Sequence, residues 1–246
     1  MSHDVIDHLA GIAPGSPLDA IRHARPDARE HAQQSFLALL EPAEPGQLEL
    51  ADRYAVAAYV ALLHDPDPDR PDRASGSGPA AGSDPAAGDG SDPDGSGGLG
   101  AAAPTRPSAF YLELLADATE PAVVAAVRDA ADAGRASGPY GDYREPGLQA
   151  EAVAGPVAAI DCSVLGTRLA AALEHAHLLV LHPRDARPEA LQALVDAGWE
   201  ADALVSLSQL VAFLAFQLRL VHGLRVLADS PAPATDPATD LQEARA

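Results

Sequence analysis

Three histidines crowd the segment LEHAHLLVLHP: His175, His177 and His182, with Glu174 three residues before His177. At helical spacing His175 and His182 share a face, and Glu174 with His177 forms a Glu-x-x-His pair. Di-iron bundles use such pairs, but they need two of them and further glutamates. No second copy occurs here, so the expectation is structural histidines and no bound metal. The adjoining HPRDAR places Arg184, Asp185 and Arg187 in a loop, a solvated turn that could also meet an anion. Cys162 follows Asp161 near a predicted helix start. The helix dipole there favours a thiolate, and the neighbouring carboxylate opposes it. In LVSLSQLVAFLAFQLRLVHGLRVL, residues 204–227, the polar side chains are embedded in apolar ones. Gln209, Gln217 and Arg219 therefore either bond neighbouring helices or line a pocket, because buried amides need partners. Candidates for chemistry are His64, His177, Arg219 and Cys162; candidates for substrate contact are His182, Gln209 and Gln217. No cofactor is expected.

These groups sit on elements that read as helices. DVIDHLAGI is a short amphipathic piece, and in SPLDAIRHAR Ser16 reads as an N-cap with Pro17 at the first helical position. HAQQSFLALLE (31–41) and LELADRYAVAAYVALLH (48–64) follow, then SAFYLELLAD, PAVVAAVRDAADAG and a long helix over 163–181 that stops at Pro183. RPEALQALVDAG reads as a helix with Gly198 at its end, and Asp202 as a cap for the apolar helix. That last helix is apolar over most of its circumference, which predicts burial on all sides, with another subunit covering part of it. Its uncharged stretch, Ala203 to Leu218, is shorter than the roughly 20 residues of a bilayer span, and no basic cluster flanks it. No membrane insertion is expected.

Composition narrows the classes. The apolar share of 47% with only 4% aromatic residues reflects alanine and leucine, which favour helix. β-branched and aromatic runs are scarce, so the expected fold class is all-α. The formal charge is −20, and all sixteen basic residues are arginine. Such a chain is repelled by phosphate backbones and anionic lipid, so nucleic acid is not an expected partner. The absence of lysine removes Schiff-base chemistry. The absence of asparagine removes N-glycosylation and a Cys-His-Asn arrangement. A single cysteine excludes an internal disulfide. The first residues, MSHDVIDHLAGIAPG, lack the basic-then-apolar pattern of a secretory signal, which leads to a cytoplasmic expectation. Residues 65–107 are almost entirely Asp, Pro, Gly, Ser and Ala and read as a disordered acidic insert, as does the tail 229–246. The helical parts, 1–64 and 108–228, then belong to one domain.

The run helix, HPRDA, helix, LVDAGWEADALVSLSQLVAFLAFQLRLVHGL resembles the carboxymuconolactone decarboxylase / alkylhydroperoxidase D-like family. Members carry a short helix, a glycine–tryptophan turn and a long apolar helix with a conserved-type arginine near its end. ELADRYAVAAYVALLH is similar to an upstream helix of that family, and FYLELLAD to the helix after its active-site turn. The resemblance covers about 31–64 and 108–228, most specifically 181–227. It implies an alkylhydroperoxidase D-like helical fold that oligomerises through long apolar helices. The peroxidase branch places Cys-x-x-Cys and a histidine after the first of these helices. Here that region reads VALLHDPDPDR, with no cysteine and His64 as the one residue that could correspond. Disulfide turnover needs two thiols. The resemblance therefore implies a homo-oligomeric binding or accessory protein in oxidative-stress or small-molecule metabolism, without dithiol peroxidase activity. The alternatives are a cofactor-free lyase or isomerase using His/Arg acid–base chemistry on a small acidic or carbonyl substrate, and a weak peroxidase acting through Cys162.

Overall fold

A computed structural model describes residues 4–65 and 106–230, and these residues are all-α. The helices are α1 (Val5–Ala10), α2 (Pro17–His23), α3 (Pro26–Leu40), α4 (Leu50–His64), α5 (Pro107–Ala118), α6 (Pro121–Gly134), α7 (Cys162–Leu181), α8 (Pro188–Asp196) and α9 (Ala201–Asp229). Between α6 and α7 the chain is irregular, with one isolated antiparallel bridge joining Gly141 and Val153. Most of the expected insert, and all of the expected tail beyond Ser230, lie outside the described residues.

The local rules read from the sequence operate at several ends. Ser16 accepts the Asp19 N–H and Pro17 opens α2. Beyond α8, the Gly198 N–H reaches Val195 O at 2.9 Å and the Trp199 N–H reaches Leu194 O at 3.0 Å. The Asp202 carboxylate does not cap α9; Glu200 holds the cap position and makes no side-chain cap bond. Helix α3 starts at Pro26, five residues before the expected start at His31. Helix α7 is broken after its first turn by Gly166, whose φ of 73° suits a residue without Cβ.

Helix α4 is the axis of the bundle. It packs on α3, α5, α6, α7 and α9, and every residue from Ala55 to Leu63 is buried. Four of those nine are alanines, at 55, 57, 58 and 61, which lets neighbouring backbones close in around it. Arg53 anchors its start, donating to Leu39 O at the end of α3 (2.6 Å) and to two carbonyls of the α3–α4 connection, Pro45 at 2.9 Å and Leu48 at 2.7 Å. Charge-assisted bonds of this kind contribute about 1.5–3 kcal/mol each. At the N-terminal end, Arg22 bridges Asp4 (2.8 Å) and Asp7 (2.9 Å), and Arg29 pairs with Asp7, tying α1, α2 and α3 together.

Within a single chain, helix α9 is covered on one side. Leu207, Leu210, Leu214, Leu218, Val221 and Leu224 face the core, but Val205, Phe216 and Leu227 are 57%, 50% and 54% exposed. Its N-terminus is set by the turn before it. The Trp199 indole donates to Arg168 O at 2.9 Å, and the Arg168 guanidinium lies 4.1 Å over the ring. By length and composition alone, α7 and α9 are long and apolar enough to cross a membrane, with 44% of each apolar window buried in the protein.

Candidate functional site

Where α4 ends, α5 begins and the last third of α9 passes, the surface opens into a pocket of about 290 Å³. Its polar lining is His64, Asp65, Arg219, His222 and Arg225, against Ala61, Pro107, Leu218 and Val221. The helices explain the convergence. His64 is the last residue of α4, and Arg219, His222 and Arg225 recur every three residues along α9. Two arginines against one aspartate give this pocket positive formal charge within a chain of net −20.

The members are held differently. His64 Nδ1 donates to Val60 O at 2.8 Å, so in the neutral ring Nε2 is the acceptor. Burial pushes His64 below the ordinary imidazole value, and the Arg219 charge acts the same way; the Val60 carbonyl and the Asp65 charge oppose them. Asp65 Oδ2 accepts from Ser108 Oγ at 2.5 Å. Arg135 satisfies the end of α4 by donating to Leu62 O at 2.8 Å and Asp65 O at 3.1 Å. Arg225 donates to Leu9 O at 2.5 Å, which fixes its guanidinium between α9 and α1. Arg219 is exposed and donates to Ala215 O of its own helix at 3.4 Å. The arrangement offers two imidazoles and an exposed guanidinium beside an anchored one, a chemistry suited to a small anion.

Of the sequence candidates, only His64 and Arg219 meet here. His177 and His182 form a separate buried group with ring centroids 5.9 Å apart, and Tyr140 lies 5.3 Å from His182. His177 Nε2 bonds Gly134 O at 2.9 Å, and burial lowers its basicity. A Cβ on Gly134 would stand 3.0 Å from both His177 Cδ2 and the Tyr59 hydroxyl, so any larger residue would press on both side chains. His182 contacts Pro156 O at 2.7 Å and Asp185 Oδ2 at 3.3 Å, pinning the 138–160 segment to α7. Glu174 turns away from His177 and accepts the Ile160 N–H at 3.0 Å. Among the described residues, no three His, Cys, Asp or Glu side chains are grouped to hold a metal.

Gln217 is fully buried and accepts the Tyr111 hydroxyl, joining α9 to α5. Gln209 is exposed on the opposite side of the core boundary, away from the pocket. Cys162 is exposed at the first position of α7. Its neighbour Asp161 accepts from Ser163 N (2.9 Å) and Oγ (2.8 Å), bonds that hold the carboxyl below its usual range. A second cleft, about 510 Å³, runs between α6 and residues 157–164; its charged lining is Asp129 and Asp161, with no cationic or imidazole group. His222 and Arg225 were missed as site residues. The available signal was their three-residue spacing from Arg219 on a helix otherwise without basic groups.

The fold and pocket define an all-α protein with a cationic surface site. No family model, curated protein or solved structure matches the chain.

Proposed function

We propose that the pocket between α4, α5 and α9 binds a small carboxylate or other oxyanion, and that this is the working site of a homo-oligomeric, alkylhydroperoxidase D-like helical protein without dithiol chemistry. The observation that carries the reading is the convergence of His64, Arg219, His222 and Arg225 on one cavity. An acidic surface elsewhere leaves this cluster as a local attractor for anions small enough to enter. The same acidic charge opposes nucleic acid and anionic lipid and fits a protein of the cytoplasm. The resemblance supports the family and the subunit association; the cavity supports the ligand class.

A lyase or isomerase reading is favoured by one specific feature. His64 is held toward its neutral form with Nδ1 engaged by Val60, leaving Nε2 to take a proton from a substrate anchored on Arg219. Both readings share the anion site and are tested together. Titrating the protein with phosphate and with succinate, by calorimetry or amide chemical shifts, should give saturable binding centred on α9 residues 218–225. Arg219→Gln, at an exposed position, should weaken it by about tenfold, the equivalent of about 1.4 kcal/mol for one lost charge-assisted contact. Equal binding by parent and variant would remove the assignment.

A further inference from the structure

The structure assigns the outer face of α9 to a second copy of the same chain, paired antiparallel about a two-fold axis at Phe216. This rests on the subunit association proposed above and supplies its interface. On a projection at about 100° per residue, Val205, Gln209, Ala212, Phe216, Leu220, Gly223 and Leu227 fall within an arc of roughly 80°. All seven lie off the core-facing side, six exposed and Leu220 half-buried. Their spacings are four, three, four, then four, three, four, which reads the same from either end.

That symmetry identifies the occupant. In a two-fold interface, residue i meets j while j meets i. Pairing about Phe216 sets Val205 against Leu227, Gln209 against Gly223 and Ala212 against Leu220 of the other copy, each pair occurring twice. The sizes match as well as the positions. The long Gln209 side chain falls where Gly223 has none, and Leu220 falls on Ala212. Phe216 meets itself in either direction, but a parallel pairing would also set Leu220 against Leu220 and Leu227 against Leu227 and leave gaps at Ala212 and Gly223. The stripe repeats after eleven residues, from Val205 to Phe216 to Leu227, so it runs almost straight along the helix with a slight right-handed drift. Two such helices can stay in contact from end to end. Lipid fits the face less well, since Gln209 interrupts it and the chain is strongly acidic.

The size of the contact sets its strength. A strip ~33 Å long and ~10 Å wide covers on the order of 330 Å² per copy, under half of the ~800 Å² per partner of a standard interface. Association through this face alone is therefore weak and concentration-dependent.

The test uses the full chain carrying Cys162→Ser. Under mild oxidation, a mixture of Val205→Cys and Leu227→Cys chains should give a cross-linked heterodimer, while either chain alone should give little. Sedimentation from micromolar to submillimolar protein should show self-association, and Phe216→Glu should raise its dissociation constant by at least about tenfold, since like charges then meet on the axis. Because Phe216 is exposed, melting of that variant at dilute concentration should match the parent. Val205→Cys cross-linking to itself would overturn the antiparallel register. Self-association unaffected by Phe216→Glu would place the interface elsewhere and leave the oligomer standing. A monomer at every concentration would overturn both the interface and the oligomer. Binding to phosphatidylcholine vesicles that Phe216→Glu abolishes, without self-association, would assign the face to lipid. The anion titration is independent of all four outcomes.

Discussion

Helices α4 and α9 both run nearly without charge through their middles, yet the chain encloses one and leaves half of the other in solvent. Length is part of the cause. At 1.5 Å per residue α4 spans ~22 Å and α9 ~43 Å, and the shorter helices flanking α9 can cover only one side of it. Side-chain size is the other part. Alanines at 55, 57, 58 and 61 let α5, α6, α7 and α9 approach α4 from several directions, whereas α9 presents Leu, Val and Phe around most of its girth. A similar apolar content thus gives a core axis in one case and, in the other, a wall with a second face. The candidate site forms where the two meet, at the end of α4 and on the flank of α9.

The same substitution in both helices gives the largest contrast. Ala58→Leu forces methylene groups into a site with no exposure and should cost about 1–3 kcal/mol. Ala212→Leu, on the exposed face of α9, should stay within about 0.5 kcal/mol at concentrations too low for association. Urea denaturation of both variants checks this. Equal losses would show that the outer face of α9 is packed within the monomer.

A smaller effect separates the histidines of α4 and α7 from ordinary ones. Burial is the first cause lowering His64, His175 and His177 from 6.5, and no hydrogen-bond partner for either ring nitrogen of His175 is seen among the described residues. A group whose folded pKa is depressed binds its proton more readily when unfolded. Its contribution is complete above the unfolded value near 6.5 and is lost as pH falls from there toward the folded pKa. The melting temperature should therefore hold between neutrality and pH 6.5 and decline below it. His175→Leu should flatten that decline, because the unpartnered imidazole is replaced by a group with no proton to take up. An unchanged slope would mean His175 is solvated in a way the packing does not show.

How much of this was readable beforehand follows from the same two helices. The all-α class, the helix order and the Ser16 cap were legible from composition, spacing and turn chemistry, whereas His64 stood out only through the family resemblance and its meeting with Arg219 was not foreseen. The facing of α9 was not. A helix apolar in nearly every direction has no strong polar side to fix its rotation, so Gln209 and Gln217 were placed together. They are about 80° apart at 100° per residue, and the edge of the core runs between them. Gln217 went inward to Tyr111 and Gln209 outward. Likewise, His222 and Arg225 become site residues only once α4 supplies His64 opposite them, a juxtaposition across more than 150 residues that local pattern does not encode. His177 and His182 looked reactive by type, but they are satisfied by Gly134 O at the end of α6 and by Pro156 O in the irregular 138–160 segment, partners that no periodic signal announces.

The smallest expected effect concerns Cys162, which lies on neither helix of the pocket. A thiol peroxidase needs a thiolate to attack the peroxide and a second thiol to resolve the sulfenic acid that results. This chain has one cysteine, so a resolving thiol would have to come from another molecule. The environment gives no help with the first step either. Asp161 is pinned as a carboxylate by two bonds from Ser163, which keeps negative charge beside the sulfur. Neither His64 nor Arg219 shares a cavity with Cys162. Hydrogen peroxide and an organic hydroperoxide, supplied with dithiothreitol, should be consumed no faster with the protein than without it, and Cys162→Ser should change nothing. Consumption abolished by that substitution would return the thiol to the centre of the chemistry. Consumption that survived it but disappeared with His64→Ala would instead place the reaction in the α4–α9 pocket.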